Sequence, residues 1–268
     1  MRVWVRWIAL FMAIPLLFLY KANSWDESGE EHSDFTIPPS GKAMCGRFNL
    51  IDSPEVQWLC ESLGISLQAS HTSHDIAPGG RIAIIHDSEG ERKVSEAIWW
   101  LFLDHDTLKP NYKYASFNSR SDKLDNKRGI SYKPFRESRC IIPASAFVEG
   151  LGDKKTYHMI ELEDSAIAFG GLYKAHLKHD TGELVYSASI ITLPPLSPQW
   201  DNIHPKSMPL MLDFEDGELI NKWLDPEFLA VEEFESVLEP KIRKPMKVTR
   251  INKPSKWDPI EDAFLLKS

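Results

Sequence analysis

"TYHMIELEDSAIAFGGLYKAHL", residues 156–177, decides what kind of sheet this chain can build. Its two halves, 157–162 and 166–174, carry the aromatic and β-branched residues that suit a pleated, half-buried surface. Only Glu163, Asp164 and Ser165 separate them, which predicts an antiparallel hairpin closed by a tight turn. A parallel pair would need a crossover of a dozen or more residues, so a doubly wound βαβ fold is excluded. Working outward, further strands are predicted at 81–86, 94–103, 138–143, 184–193 and 246–251.

Helix signals are few. In "DSPEVQWLCESLG", residues 52–64, Ser53 is placed to cap and Pro54 to open a helix. Val56, Leu59, Cys60 and Leu63 share one face, and Gly64 ends the run. Two more helices are predicted at 214–224, around Leu219, Ile220, Trp223 and Leu224, and at 227–238, around Phe228, Val231, Phe234, Val237 and Leu238. The expected fold class is α+β, a single domain with a mixed, mainly antiparallel, barrel-like sheet and a few flanking helices. The chain has no internal repeat and no low-complexity segment.

With 268 residues and 43% apolar content, the chain can bury a sizeable core. A net charge of −8 argues against broad, non-specific nucleic-acid binding, though it leaves room for a local basic groove. Three cysteines, Cys45, Cys60 and Cys140, are too few for a disulfide scaffold, and no spacing suggests a metal site. Cys60 on the helix face and Cys140 in an apolar strand read as core residues.

Residues 1–44 do not match the rest. Arg2 and Arg6 precede an uncharged run from Trp7 to Tyr20, followed by an acidic, polar stretch. Those 14 residues would span about 21 Å as a helix, short of the roughly 30 Å of a bilayer core. Two readings stand: a signal peptide or short anchor, or a working start at Met44. The chain is therefore divided into a leader and linker, 1–44, and a folded domain, 45–262.

Polar residues worth weighing gather in four places: Cys45-Gly46-Arg47-Phe48, then "SFNSRSD" with Asn118 and Arg120, "RCIIPASAFVEG" with Glu149, and "NIHPKSMPLML" with His204. Taken singly, each has a plain structural role open to it: a turn, a surface ion pair, a solvated carboxylate, a loop held by prolines. The stretch Lys113–Arg139 changes the balance. It holds eight basic residues, among them Arg120, Lys123 and Arg136, against three acidic ones. Tyr112, Tyr114, Phe117, Tyr132 and Phe135 interleave with them, which suits stacking of unpaired bases.

The order "MCGRF", "IAP", "FNSRSD", "RCIIPASAFVEG", "FGGLY", "SIITLPP", "IHPKSMPLML", "WL" resembles the SRAP family, the abasic-site processing proteins also called SOS response-associated peptidases. The resemblance covers the chain from Met44 to about residue 252 and implies a mixed α+β, barrel-like domain. It also implies loss of the initiator methionine, so that Cys45 becomes the first residue and forms a thiazolidine with an abasic site in single-stranded DNA. The chemistry explains why such a cysteine must be terminal. A free α-amine condenses with the open-chain aldehyde to an imine, and the thiolate of the same residue closes a five-membered ring onto it. An internal cysteine offers only an amide nitrogen.

By resemblance, Glu149 acts as acid and base in opening the sugar, His204 assists proton transfers, and Asn118 positions Cys45 or the sugar. Arg47 and Arg120 would hold the flanking phosphates, and Lys123, Arg136 and Lys206 would extend that surface. The implied partner is single-stranded DNA containing abasic sites, bound by a monomer without a cofactor or metal. The implied place is the cytoplasm and nucleoid if Met44 is the start, and the membrane or exterior if residues 1–24 are a true leader.

The sequence departs from the family pattern at Trp100, where glycine is usual, and at Gly150, where an aromatic is usual. It departs again at Ser207, where arginine is common next to Met208, and at Asp75, where asparagine is frequent. Two other classes remain in play: a thiol peptidase using Cys45 and His204, with self-processing of the leader as its simplest form, and a membrane-tethered binding protein without chemistry.

Overall fold

Helix α1, Pro54–Leu63, starts where Ser53 Oγ accepts the Val56 N–H at 3.3 Å and Pro54 opens the first turn. Gly64, at φ +64°, ends it in the left-handed conformation that glycine tolerates best. Val56, Leu59, Cys60 and Leu63 are the buried face. The computed structural model describes residues 46–68 and 71–267; the leader, 1–44, and Cys45 lie outside the described residues.

Two sheets make up the domain. One is open and six-stranded, in the order β14 (Phe264–Leu266), β13 (Met246–Ile251), β8 (Tyr157–Leu162), β7 (Ala146–Gly150), β1 (Arg47–Leu50) and β2 (Ser73–Ile76), antiparallel throughout. In the other, β10 (Leu184–Leu193), β4 (Glu91–Ile98), β3 (Arg81–Ser88), β6 (Arg139–Ala144) and β9 (Ile167–Leu177) pair in turn. β9 then pairs back onto β10 along Leu177–Gly171, closing a five-stranded barrel. Short strands extend it: β5 (Asn118–Arg120) runs parallel to β10, β11 (Met208–Pro209) pairs β10, and β12 (Met211–Leu212) pairs β9. The fold is thus α+β with a mainly antiparallel, barrel-like sheet, as the sequence predicts. The sheets meet through aromatic rings: Phe48 lies 4.8 Å from Trp99 and Phe147 lies 5.5 Å from Phe169, centroid to centroid.

The hairpin expected at 156–177 does not form. β8 goes to the open sheet and β9 to the barrel, and only an isolated bridge, Leu162 to Ser165, joins them. Burial decides this. β9 is buried on both faces from Ile167 to Leu172, whereas β8 is never buried at two successive positions. A strand covered on both sides needs the barrel interior, and a three-residue turn allows the chain to change sheets there. Gly170 and Gly171 make the closeness possible. A Cβ would stand 2.5 Å from Leu210 Cδ2 at the first and 2.8 Å from Ile142 Cδ1 at the second.

Other expectations shift. The strand expected over 94–103 ends at Ile98. The helix expected over 214–224 is α3, Gly217–Leu224, capped by Asp216. The one expected over 227–238 shrinks to a single 3₁₀ turn, Val231–Phe234. One carbonyl of that stretch, Phe228 C=O, is bonded elsewhere. Arg139, buried at the start of β6, donates to the C=O of Trp223, Asp225 and Phe228 at 2.7, 2.6 and 2.9 Å. The same guanidinium bonds Phe135 and Arg136 C=O near the end of α2, Tyr132–Glu137, a helix not foreseen.

Candidate active site and its basic surroundings

β7 carries Phe147 and Glu149 on one face, because alternate residues of a strand point the same way. Phe147 packs on Phe169 and stacks on the Trp200 ring. Glu149 is therefore drawn inward and is 1% exposed. The sequence reading placed it in a loop; it lies in the strand. The apolar stretch of "RCIIPASAFVEG" spans two strands broken at Ser145, and that break hides the second one.

His204 reaches Glu149 from the other side. Its loop winds around Trp200, whose backbone C=O accepts the N–H groups of Ile203 and His204, both at 3.0 Å. The buried Trp200 indole N–H donates to Ser207 C=O at 2.9 Å. The imidazole so held lies with Nδ1 2.5 Å from Gly150 C=O and 3.8 Å from Glu149 Oε2. A carbonyl can only accept, so Nδ1 carries the proton and Nε2 presents its lone pair in the neutral ring. Burial pushes the His204 pKa down; the Gly150 bond opposes this and nearby Lys206 adds to it. Nε2 is buried without a hydrogen-bond partner among the described residues.

Asn118 and Arg120 are alternate residues of β5, opposite Ile190 and Thr192 of β10. Trp99 fixes the entry to that strand by donating Nε1–H to Phe117 C=O at 2.8 Å. Ser119 fixes its other face through Ser189 and Ser131 hydroxyls at 2.7 and 2.8 Å. Asn118 is buried, while Arg120 projects outward and forms a two-bond pair with Asp122 at 2.9 and 2.8 Å. Arg120 and Lys206 line one cavity of about 430 Å³ with Asp122, Thr192, Pro194 and Ser207. The Thr192 and Ser207 hydroxyl oxygens are buried without partners among the described residues. Two cations and two unused hydroxyls are a donor set suited to an oxyanion.

Arg47 opens β1 and lies opposite Val148, the neighbour of Glu149. Its guanidinium pairs with Asp75 of β2, and Asp75 also accepts the Trp257 indole N–H at 3.3 Å. Cys45, two residues ahead of Arg47, lies outside the described residues. The structure thus brings together Glu149 and His204, and separately Arg120 and Lys206, with Arg47 on the strand beside β7.

A profile of the family described as SOS response associated peptidase (SRAP) matches residues 44–254. The chain belongs to the SRAP family. Among its relatives is the abasic site processing protein YobE of Bacillus subtilis, 31% identical over 207 residues, covering 74% of this chain and 89% of that protein. YoqW of the same organism, also an abasic site processing protein, is 30% identical with similar coverage. A crystal structure of a protein from Bacteroides thetaiotaomicron superposes with a TM-score of 0.60 at 23% identity, over 82% of this chain and all of that one. One from Bordetella bronchiseptica also gives 0.60, at 16% identity, over 78% of this chain and all of its own. These last two bear on the fold alone.

Against the SRAP pattern, the departures have local explanations. At Gly150 a Cβ would stand 3.1 Å from the Tyr157 ring, so the facing strand supplies the aromatic cover. Trp100 packs on Phe117 and Tyr112 and bonds Asn111 C=O, stiffening the approach to β5. The basic stretch is less of a groove than its charge suggests. Arg139 is buried, and Arg136 stacks on Tyr132 and pairs with Asp125 at 2.8 Å. Lys123 stays exposed, 3.9 Å from Asp122. Of the five interleaved aromatics, Phe117 and Phe135 are core, while Tyr112 and Tyr114 face solvent. Trp200, Thr192 and Trp257 were missed by sequence reasoning, and Asp75 stood out only as a departure from the family pattern. "PLSPQW" marks Trp200 only as a loop residue, and the other three acquire their roles from distant partners. Among the described residues no helix is long and apolar enough to cross a membrane, and no cluster of His, Cys, Asp or Glu is arranged for a metal ion.

Proposed function

We propose that this protein processes abasic sites in single-stranded DNA by covalent capture through Cys45. The observation that carries the reading is the buried Glu149–His204 pair at the end of β7, next to the strand that begins two residues after Cys45. The names of the curated relatives point to the same substrate. In this reading Glu149 protonates the ring oxygen and takes up the hydroxyl proton as the sugar opens to its aldehyde. The Cys45 α-amine adds to the aldehyde carbon, water leaves, and an imine forms. The Cys45 sulfur then bonds to that carbon, the imine nitrogen takes a proton, and a thiazolidine results. His204, neutral with Nε2 as acceptor, moves protons in these steps. Asn118 positions Cys45 or the sugar.

Phosphates on either side of the lesion would engage Arg47, Arg120 and Lys206, and the cavity with its two free hydroxyls suits one of them. Lys123 and Arg136 would lie further along the strand. The chemistry needs a free amine on Cys45, so either residues 1–43 are untranslated and Met44 is removed after initiation, or residues 1–44 are cleaved away. An autopeptidase activity at this boundary is the form of peptidase chemistry that fits. The protein would act as a monomer, at the nucleoid, without a cofactor.

A chain beginning at Met44 and an uncleaved full-length chain, each mixed with an abasic oligonucleotide, test this on a denaturing gel. The short chain is expected to crosslink, and its Cys45→Ala variant to lose the stable adduct. Equal crosslinking by the uncleaved chain overturns the mechanism.

A further inference from the structure

Arg47 does not wait for a ligand with its charge exposed to solvent. It is held by Asp75, whose other oxygen accepts the Trp257 N–H. Trp257 comes from beyond the family match. After β13 the chain turns at Lys253–Trp257, closed by Lys256 N–H to Lys253 C=O and by Asn252 N–H to Asp258 C=O, both 3.1 Å. It returns beside β13 through Ile260 N–H to Arg250 C=O at 2.9 Å. Trp257 itself sits at φ +58°, a backbone region that bulky residues rarely adopt. Such a conformation persists only where its surroundings hold it, and the bond to Asp75 is what this side chain gains there.

The geometry points to Asp75 as a competing anion, oriented by Trp257, that a DNA phosphate must displace before it can engage Arg47. The inference rests on Arg47 belonging to the DNA-binding surface. Arg47 and Asp75 side chains are 27% and 35% exposed, so the pair is open to exchange, and pairs of this kind are weak enough to break. Once displaced, Asp75 remains tethered to β2, and its charge opposes the incoming phosphate. Undamaged strands offer no aldehyde for a covalent bond, so they bear the full penalty. An abasic strand adds a covalent bond that offsets it. Arg120 with Asp122 repeats the arrangement on β5. Weak grip on intact DNA is thereby a specificity device.

Fluorescence anisotropy with an intact single-stranded oligonucleotide at low salt tests this. Asp75→Asn in the full chain is expected to bind about 3- to 10-fold tighter than the parent. Trp257→Phe, which keeps a ring but loses the N–H, should bind tighter by a smaller factor. Adding Arg47→Gln to Asp75→Asn should abolish the gain. A gain of affinity is not what loss of structure produces, and Asp75→Ser serves as a second variant if Asp75→Asn fails to fold. Unchanged or weaker binding by the Asp75 variants, or a gain that survives without Arg47, overturns the proposal. If the chain beginning at Met44 never crosslinks abasic DNA while Asp75→Asn still tightens intact DNA, the covalent reading fails and the latch stands. The reverse result removes the latch alone, and no binding by any chain removes both.

Discussion

At His204, burial and a single backbone carbonyl set the protonation state between them. Burial disfavours the imidazolium, and Gly150 C=O takes the one proton the neutral ring keeps. The expected outcome is a ¹⁵N spectrum at neutral pH in which Nδ1 is protonated and Nε2 is not; the opposite tautomer would break the assigned role. For Glu149, the isosteric change Glu149→Gln removes the proton transfer and keeps the shape. Crosslinking should slow by roughly 10²-fold, with binding of intact DNA retained, as time courses on a denaturing gel can measure. Both residues were legible in the sequence as candidates, because a carboxylate after an apolar run and a histidine before one stand out. Their burial was not. It depends on Trp200 stacking on Phe147, a contact between segments some fifty residues apart. Asp75 was legible only as a departure from the family pattern and Trp257 not at all, since their partnership exists only after the chain has returned from β13.

Among the elements, α1 was legible from start to finish, because its signals are local: a capping serine, a proline, one apolar face and a closing glycine. The stretch 156–177 misled for the opposite reason. A short turn permits a hairpin, but which sheet receives each strand is set by what covers it, and no local pattern carries that information. The lost helix at 227–238 has the same cause, since Phe228 C=O near its start is bonded by the distant Arg139. Arg139 therefore ties the ends of α2 and α3 to the barrel, and burial pushes its pKa down to about 10. Arg139→Lys keeps a charge but cannot reach five carbonyls from one nitrogen. It should cost about 2–4 kcal/mol in urea denaturation, with little effect on crosslinking below the unfolding midpoint. Gly171→Ala should cost about 1–3 kcal/mol by overpacking, since Ser189 C=O, at 3.1 Å from the added carbon, is backbone and cannot swing aside.

Among the described residues, three histidines, His86, His158 and His204, are buried and His176 is half-buried. Burial lowers the pKa of His86, His158, His176 and His204 below the ordinary 6.5. The stability tied to them is fully present above about pH 6.5. As pH falls, the unfolded chain takes up protons that the folded one refuses, and stability is lost towards the lower folded-state values. The urea midpoint at about pH 5.5 should lie below that at about pH 7.5, with an unchanged slope. An equal or higher midpoint in acid would mean that these side chains are solvated. Sheet order has a different consequence, one of timing. β1 at Arg47–Leu50 pairs with β7 at Ala146–Gly150, so Arg47 meets Val148 only after 101 further residues have been made. At roughly 5–20 residues per second, β1 spends about 5–20 s of synthesis without that neighbour. A ribosome-associated aminopeptidase acting near Cys45 would have that interval to work, before the sheet closes over the start of the strand.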